Sequence, residues 1–176
     1  VYRYFKPVRY TVVFDGSGAE EGGMADIENC EYDRPVVLEK NSFRRNSLIT
    51  LYQDGQKNPA ETTNMTVKHK FMGWSIQKNG VVRYTDGETV KNIADQNGTV
   101  TLYAVWSEEA VTLPSLAAPM GYHFLGWAKA ADAQTGLMQM DVTDSSELYA
   151  VWKRDIVKYH VEYYKENLAG GYDLAS

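Results

Sequence analysis

Four tryptophans, Trp74, Trp106, Trp127 and Trp152, are the sharpest chemical feature of this chain. Exposed indole faces stack on sugar rings, so a row of them would make a carbohydrate platform. Buried, the same rings supply much of the apolar area of a small unit. Their neighbours favour burial. Trp106 shares a strand face with Leu102 and Ala104, and Trp152 shares one with Leu148. All four are therefore expected in the structural core. Gly73 and Gly126 stand just before Trp74 and Trp127. A glycine inside a strand marks a bulge or a close backbone approach, so both are assigned to the core as well, with a ligand contact as the alternative.

Other constellations are weaker. Cys30 with His69, His123 or His160 has the residue types of a nucleophile and base, but no local nucleophile motif surrounds it and the histidines are scattered. Asp15, Glu20, Glu21 and Asp26 cluster among glycines without the spacing or closing glutamate of an EF-hand, and read as a solvated turn. No two histidines sit at metal-ligand spacing. Asn64 and Asn97 each fit a glycosylation sequon. No catalytic residue, cofactor or metal is assigned, and an enzyme is the least supported class.

Net charge is −5 over 176 residues with signs interspersed, which disfavours nucleic acid as a partner. One cysteine excludes a disulfide framework but fits both cytosol and disulfide-poor exported proteins. No apolar run reaches the roughly 18 residues of a membrane span, so no membrane contact is expected of this segment. No signal peptide is recognised.

The elements that position these residues recur. KFMGWS (70–75) is echoed by HFLGWA (123–128), and TVTLYAVW (99–106) by SSELYAVW (145–152). Repetition over tens of residues implies an array of small units. Tyr10–Phe14 alternates with β-branched residues and reads as a strand, followed by a glycine-rich turn and short extended pieces within Ile27–Tyr32 and at Val36–Leu38. Leu48–Tyr52 and Met65–Val67 form a hairpin with no counterpart in the second copy. Val81–Tyr84 reads as a strand. Thr89–Asp95 places Val90, Ile93 and Ala94 at helical spacing, predicting one or two helical turns. Val1–Phe5 has the spacing of a closing strand, and Lys6–Arg9 that of a linker. Both faces of Thr99–Trp106 are apolar, which marks a central strand.

The ordered blocks YTVVFDGSG, GGM, VVLEKNSF, FMGWS, RYTDGETVKNI and NGTVTLYAVW resemble the Listeria–Bacteroides repeat, the internalin-type B repeat of large bacterial surface proteins. The resemblance implies an α+β, strand-dominated fold of tandem small β-grasp-like units with little helix. It implies an extracellular location at the cell surface or wall, no catalytic residues, and neighbouring repeats as partners. On this reading 1–9 ends a preceding repeat. Residues 10–106 form a first repeat with a hairpin inserted at about 46–70, and 107–152 a second, shortened one. Residues 153–176 are a hairpin that starts a third repeat or completes the second. The expected role is a non-enzymatic stalk or spacer. The alternative is an adhesin or glycan-binding module that contacts a host surface protein or glycan through the inserted hairpin or exposed aromatics. Arg44, Arg45, Tyr52 and Lys68 are then the contact candidates.

Overall fold

The computed structural model describes residues 6–55 and 57–174; the closing strand expected at Val1–Phe5 lies outside them. Alternating β-branched and aromatic residues make nearly every regular element a strand. In chain order these are β1 (Arg9–Asp15), β2 (Ile27–Glu31), β3 (Val36–Val37), β4 (Asn46–Tyr52), β5 (Thr62–Lys68), β6 (Phe71–Ser75) and β7 (Thr89–Val90). They continue as β8 (Thr99–Trp106), β9 (Glu109–Thr112), β10 (Tyr122–Ala128), β11 (Gln139–Val142), β12 (Ser146–Arg154), β13 (Tyr164–Glu166) and β14 (Tyr172–Leu174).

Two four-stranded sheets carry the fold, ordered β2-β1-β8-β6 and β5-β4-β12-β10. They follow one plan. An antiparallel hairpin presents its first strand to a parallel Leu-Tyr-Ala-Val-Trp strand, whose other flank takes the Gly-Trp strand. In the first sheet Phe14 lies opposite Leu102. In the second, Leu51 lies opposite Leu148. A bulge interrupts the ladder between Phe71 and Gly73, and again between Phe124 and Gly126. Beside them, β3 pairs with β7 and β9 with β11. The first core gathers Tyr10, Val12, Phe14, Leu38, Trp74 and Leu102. The second gathers Ile49, Leu51, Val67, Leu113, Trp127 and Leu148. The central position of β8 agrees with its two apolar faces: Leu102 and Ala104 are buried, while Tyr103 and Val105 are partly covered.

The hairpin expected as an insertion in the first unit is built into the second sheet. β4 runs parallel to β12 from Ile49 to Tyr52, and β5 pairs with β4 along its whole length. The physical reason is vacancy. Both flanks of β1 and of β8 are occupied by other strands, whereas without the hairpin β12 would have β10 on one side only. Ile49 and Leu51, both 0% exposed, lose their contact with water there. The second sheet thereby obtains the opening hairpin that residues 107–152 lack. Among the described residues β13 and β14 of the C-terminal tail pair with each other and with no strand of the second sheet.

The helical expectation at Thr89–Asp95 fails. Val90 is buried by pairing with Val36, and Asn92 takes φ +53, outside the right-handed helical region. The Asn92 amide donates to Asp33 Oδ1 at 2.9 Å, and its Oδ1 accepts the Asp33 N–H at 2.7 Å, which holds the turn. One 3-10 turn, Pro59–Glu61, is the helical content among the described residues. Val81–Tyr84 contributes a single bridge, Tyr84 to Trp74, with Val81 exposed.

Candidate functional site

Because the second sheet borrows its hairpin, the chain passes between the sheets at Arg45–Asn46, at Lys68–Phe71 and at Trp106–Glu109. These passages are bonded to one another. The His69 N–H donates to Arg45 O (3.0 Å) and the Ser107 N–H to Lys70 O (2.9 Å). The Lys70 N–H donates to Ser107 Oγ (2.8 Å), whose hydroxyl donates to Glu109 (2.6 Å).

His69 is buried at the centre. Its Nδ1 lies 2.8 Å from Ser107 O and its Nε2 lies 2.7 Å from Ser47 Oγ. A carbonyl only accepts, so Nδ1 donates to Ser107 O, while Nε2 shares a hydrogen bond with the Ser47 hydroxyl. Through its main-chain N–H to Arg45 O and its ring to Ser107 O, this one residue joins the passages. Arg45 adds a clasp: its guanidinium donates to Thr143 O at 2.9 Å and pairs with Asp144 between β11 and β12. The hydrogen bond from Ser107 holds the Glu109 carboxyl below its usual range.

A groove of about 420 Å³ opens at this crossing. Its aromatic floor is Phe43, Phe71 and Trp106, all partly buried against the first core. Phe71 and Trp106 meet edge to face at 5.7 Å. The rim carries Arg44, Lys68 and Asn46 together with the exposed Glu21 carboxylate. Arg44 is exposed and reaches Glu21 only at 3.9 Å. The Lys68 ammonium is exposed and has no ion pair or hydrogen bond among the described residues.

Three of the four contact candidates, Arg44, Arg45 and Lys68, therefore meet at the crossing. Tyr52 lies elsewhere: it stacks on Tyr149 at 5.1 Å and its hydroxyl donates to Glu147 at 3.1 Å. Lys57 pairs with the same carboxylate at 2.7 Å and holds it below its usual range. The sequence offered His69 as one of three scattered candidate bases and singled out neither Ser47 nor Ser107, since their meeting depends on which sheet takes the hairpin.

Trp74 and Trp127 are enclosed in the two cores, at 0% and 1% exposure. Trp106 and Trp152 are partly buried, and their ring N–H groups donate to equivalent carbonyls, Gly16 O at 2.9 Å and Gln53 O at 3.0 Å. Trp152 also borders a hollow of about 610 Å³ beside Tyr122. Gly73 and Gly126 hold φ +142 and +121, and a Cβ on either would strike crossing backbone, at Tyr84 O (2.6 Å) or at Gly136 C and Leu137 O (both 2.8 Å). Cys30 is buried, its thiol donating to Ile27 O at 3.3 Å, and burial pushes that thiol up. Asp15 accepts the Ser17 N–H at 2.7 Å, as a turn residue does. Among the described residues no three His, Cys, Asp or Glu side chains gather as metal ligands.

Residues 94–151 match the Listeria-Bacteroides repeat domain. Comparison with curated proteins and with solved structures finds no match. The matched stretch begins just before β8 and ends within β12. It covers β8 of one sheet and β9 to β12 around the other, so one sequence repeat straddles both cores.

Proposed function

We propose that this chain is a non-enzymatic spacer of an exported, wall-attached bacterial surface protein, made of two β-grasp-like units that act as one rigid link. The repeat that matches residues 94–151 occurs in bacterial surface proteins and is generally non-catalytic, which supports this reading. The observation that carries it is the interleaving. The hairpin of the second sheet lies in the chain between the two halves of the first, and the second half of the first lies between the two parts of the second. Two beads on a flexible thread change their mutual angle freely. Two sheets joined by bonded passages and an Arg45 clasp hold theirs, as a spacer that sets distance requires.

Pulling the chain from its ends tests this. A single rupture between Arg9 and Arg154 should release on the order of 500 Å of extended chain, at about 3.3–3.6 Å per residue. Two separate, unequal steps that sum to that length would refute the single rigid link.

A further inference from the structure

We propose that the groove at the crossing binds an acidic saccharide, a chain of hydroxylated rings bearing carboxylates. This goes beyond the spacer reading and stands without it. The groove is drawn from every passage between the sheets: Arg44 and Asn46 around the first, Lys68 and Phe71 on the second, Trp106 at the third.

Charge gives the sign of the ligand. Lys68 has no partner among the described residues; Arg44 has the exposed Glu21 at 3.9 Å, whose carboxylate also lines the groove, so the cations outnumber the acid there. The chain as a whole carries −5, so this cationic rim is a local departure from its balance. Asn46 and Lys68 are paired directly across the β4–β5 ladder, so an amide and an ammonium leave the same face of the hairpin side by side. An ammonium and a guanidinium suit carboxylates, and the amide suits ring hydroxyls.

The floor gives the ligand class. Phe71 and Trp106 stand 70° apart and offer two tilted apolar surfaces below the polar rim. Polar and charged groups surround the three aromatic rings, and 420 Å³ lies within the usual range of a ligand cleft. An acidic peptide fits less well, because strand addition needs unpaired main-chain groups. Here those groups are engaged. The Arg44 N–H donates to Glu21 O, Arg44 O accepts from Glu20 and Glu21, Arg45 O takes the His69 N–H, and Lys70 O takes the Ser107 N–H.

Calorimetric titration of the whole chain with an oligogalacturonate, a neutral galactan oligomer of equal length and a polyglutamate peptide is the test. The acidic sugar should bind saturably and more tightly than either control. Lys68→Gln and Arg44→Gln should each weaken it about fivefold, the scale of an exposed charge contact. Lys153→Gln, an exposed cation on β12 outside the groove, should leave it unchanged. Melting curves verify that each variant is folded. The proposal is overturned if the acidic sugar fails to saturate at millimolar concentration, or if the neutral oligomer or the peptide binds as tightly. Equal weakening by Lys153→Gln would reduce the effect to bulk charge and overturn it too.

Discussion

Leu51→Ala is the most informative single substitution. Leu51 is fully enclosed in the second core and lies opposite Leu148, yet in the chain it falls between the two halves of the first sheet. Truncating an enclosed leucine costs about 3–5 kcal/mol, from lost transfer energy and the cavity left behind. Whether that loss stays in the second sheet depends on the coupling. While the second sheet is folded, Asn46 and Lys68 are held as a cross-strand pair, so the first sheet sees a closed stem. When the second sheet melts, the first must close a flexible loop of about 23 residues. The (3/2)RT ln n scaling puts that at roughly 3 kcal/mol. In the other direction, unfolding the first sheet leaves a loop of about 40 residues in the second, again roughly 3 kcal/mol. A penalty of that size is comparable to the whole stability of a small unit. The two sheets should therefore melt together, about 10 °C below wild type or more for this variant. Hydrogen exchange resolved by peptide checks it. Amides in β1 and β8 should lose protection in step with those in β10 and β12, under a single melting transition. Wild-type protection in β1 and β8, with only β10 and β12 weakened, would refute the coupling. Loss confined to β1 and β8 would refute the assignment of the hairpin.

Two further outcomes follow from the same geometry. The Trp127 ring N–H donates to Pro114 O at 2.7 Å, whereas the equivalent group of Trp74 is buried with no partner among the described residues. Trp127→Phe leaves a carbonyl unpaired and Trp74→Phe does not, so in chemical denaturation Trp74→Phe should be the milder by about 1–2 kcal/mol; equal losses would contradict this. Glu109, held below its usual 4.5 by the Ser107 hydroxyl, favours the folded state when ionised. That contribution is fully present above pH 4.5 and fades as pH falls through the native value. The stability difference between wild type and Glu109→Gln should therefore hold above pH 4.5 and shrink as pH falls further below it, and a constant difference would show the contact to be inert.

Strand positions were legible because their causes are local. Alternation at Tyr10–Phe14 and Thr99–Trp106, and the glycines before Trp74 and Trp127, are visible in a few residues each. Partner choice is not local. The pattern Leu48–Tyr52 demands a buried face but does not name the sheet, and the residue opposite Leu51 lies far along the chain at Leu148. A count held the clue: the second copy lacked a hairpin and the first had one too many. The helical spacing of Val90, Ile93 and Ala94 misled because such a short segment gains little from helix alone. The cross-strand bond of Val36 to Val90 and the left-handed Asn92 outweigh it. Of the candidate site, the cations Arg44, Arg45 and Lys68 were visible as charge near one hairpin. Their convergence with Trp106 arises only from the crossing, and Tyr52 was drawn away by Tyr149 and Glu147.

The borrowed hairpin also constrains how such a gene segment can be copied. No contiguous stretch holds one four-stranded sheet free of the other's strands: Arg9–Trp106 spans the first sheet but carries β4 and β5 of the second, and Asn46–Arg154 spans the second but carries β6 and β8 of the first. Duplication or deletion of the stretch that encodes a single sequence repeat would orphan a hairpin in one half and leave a gap in the other. Recombination that preserves folding must therefore move this stretch in pairs.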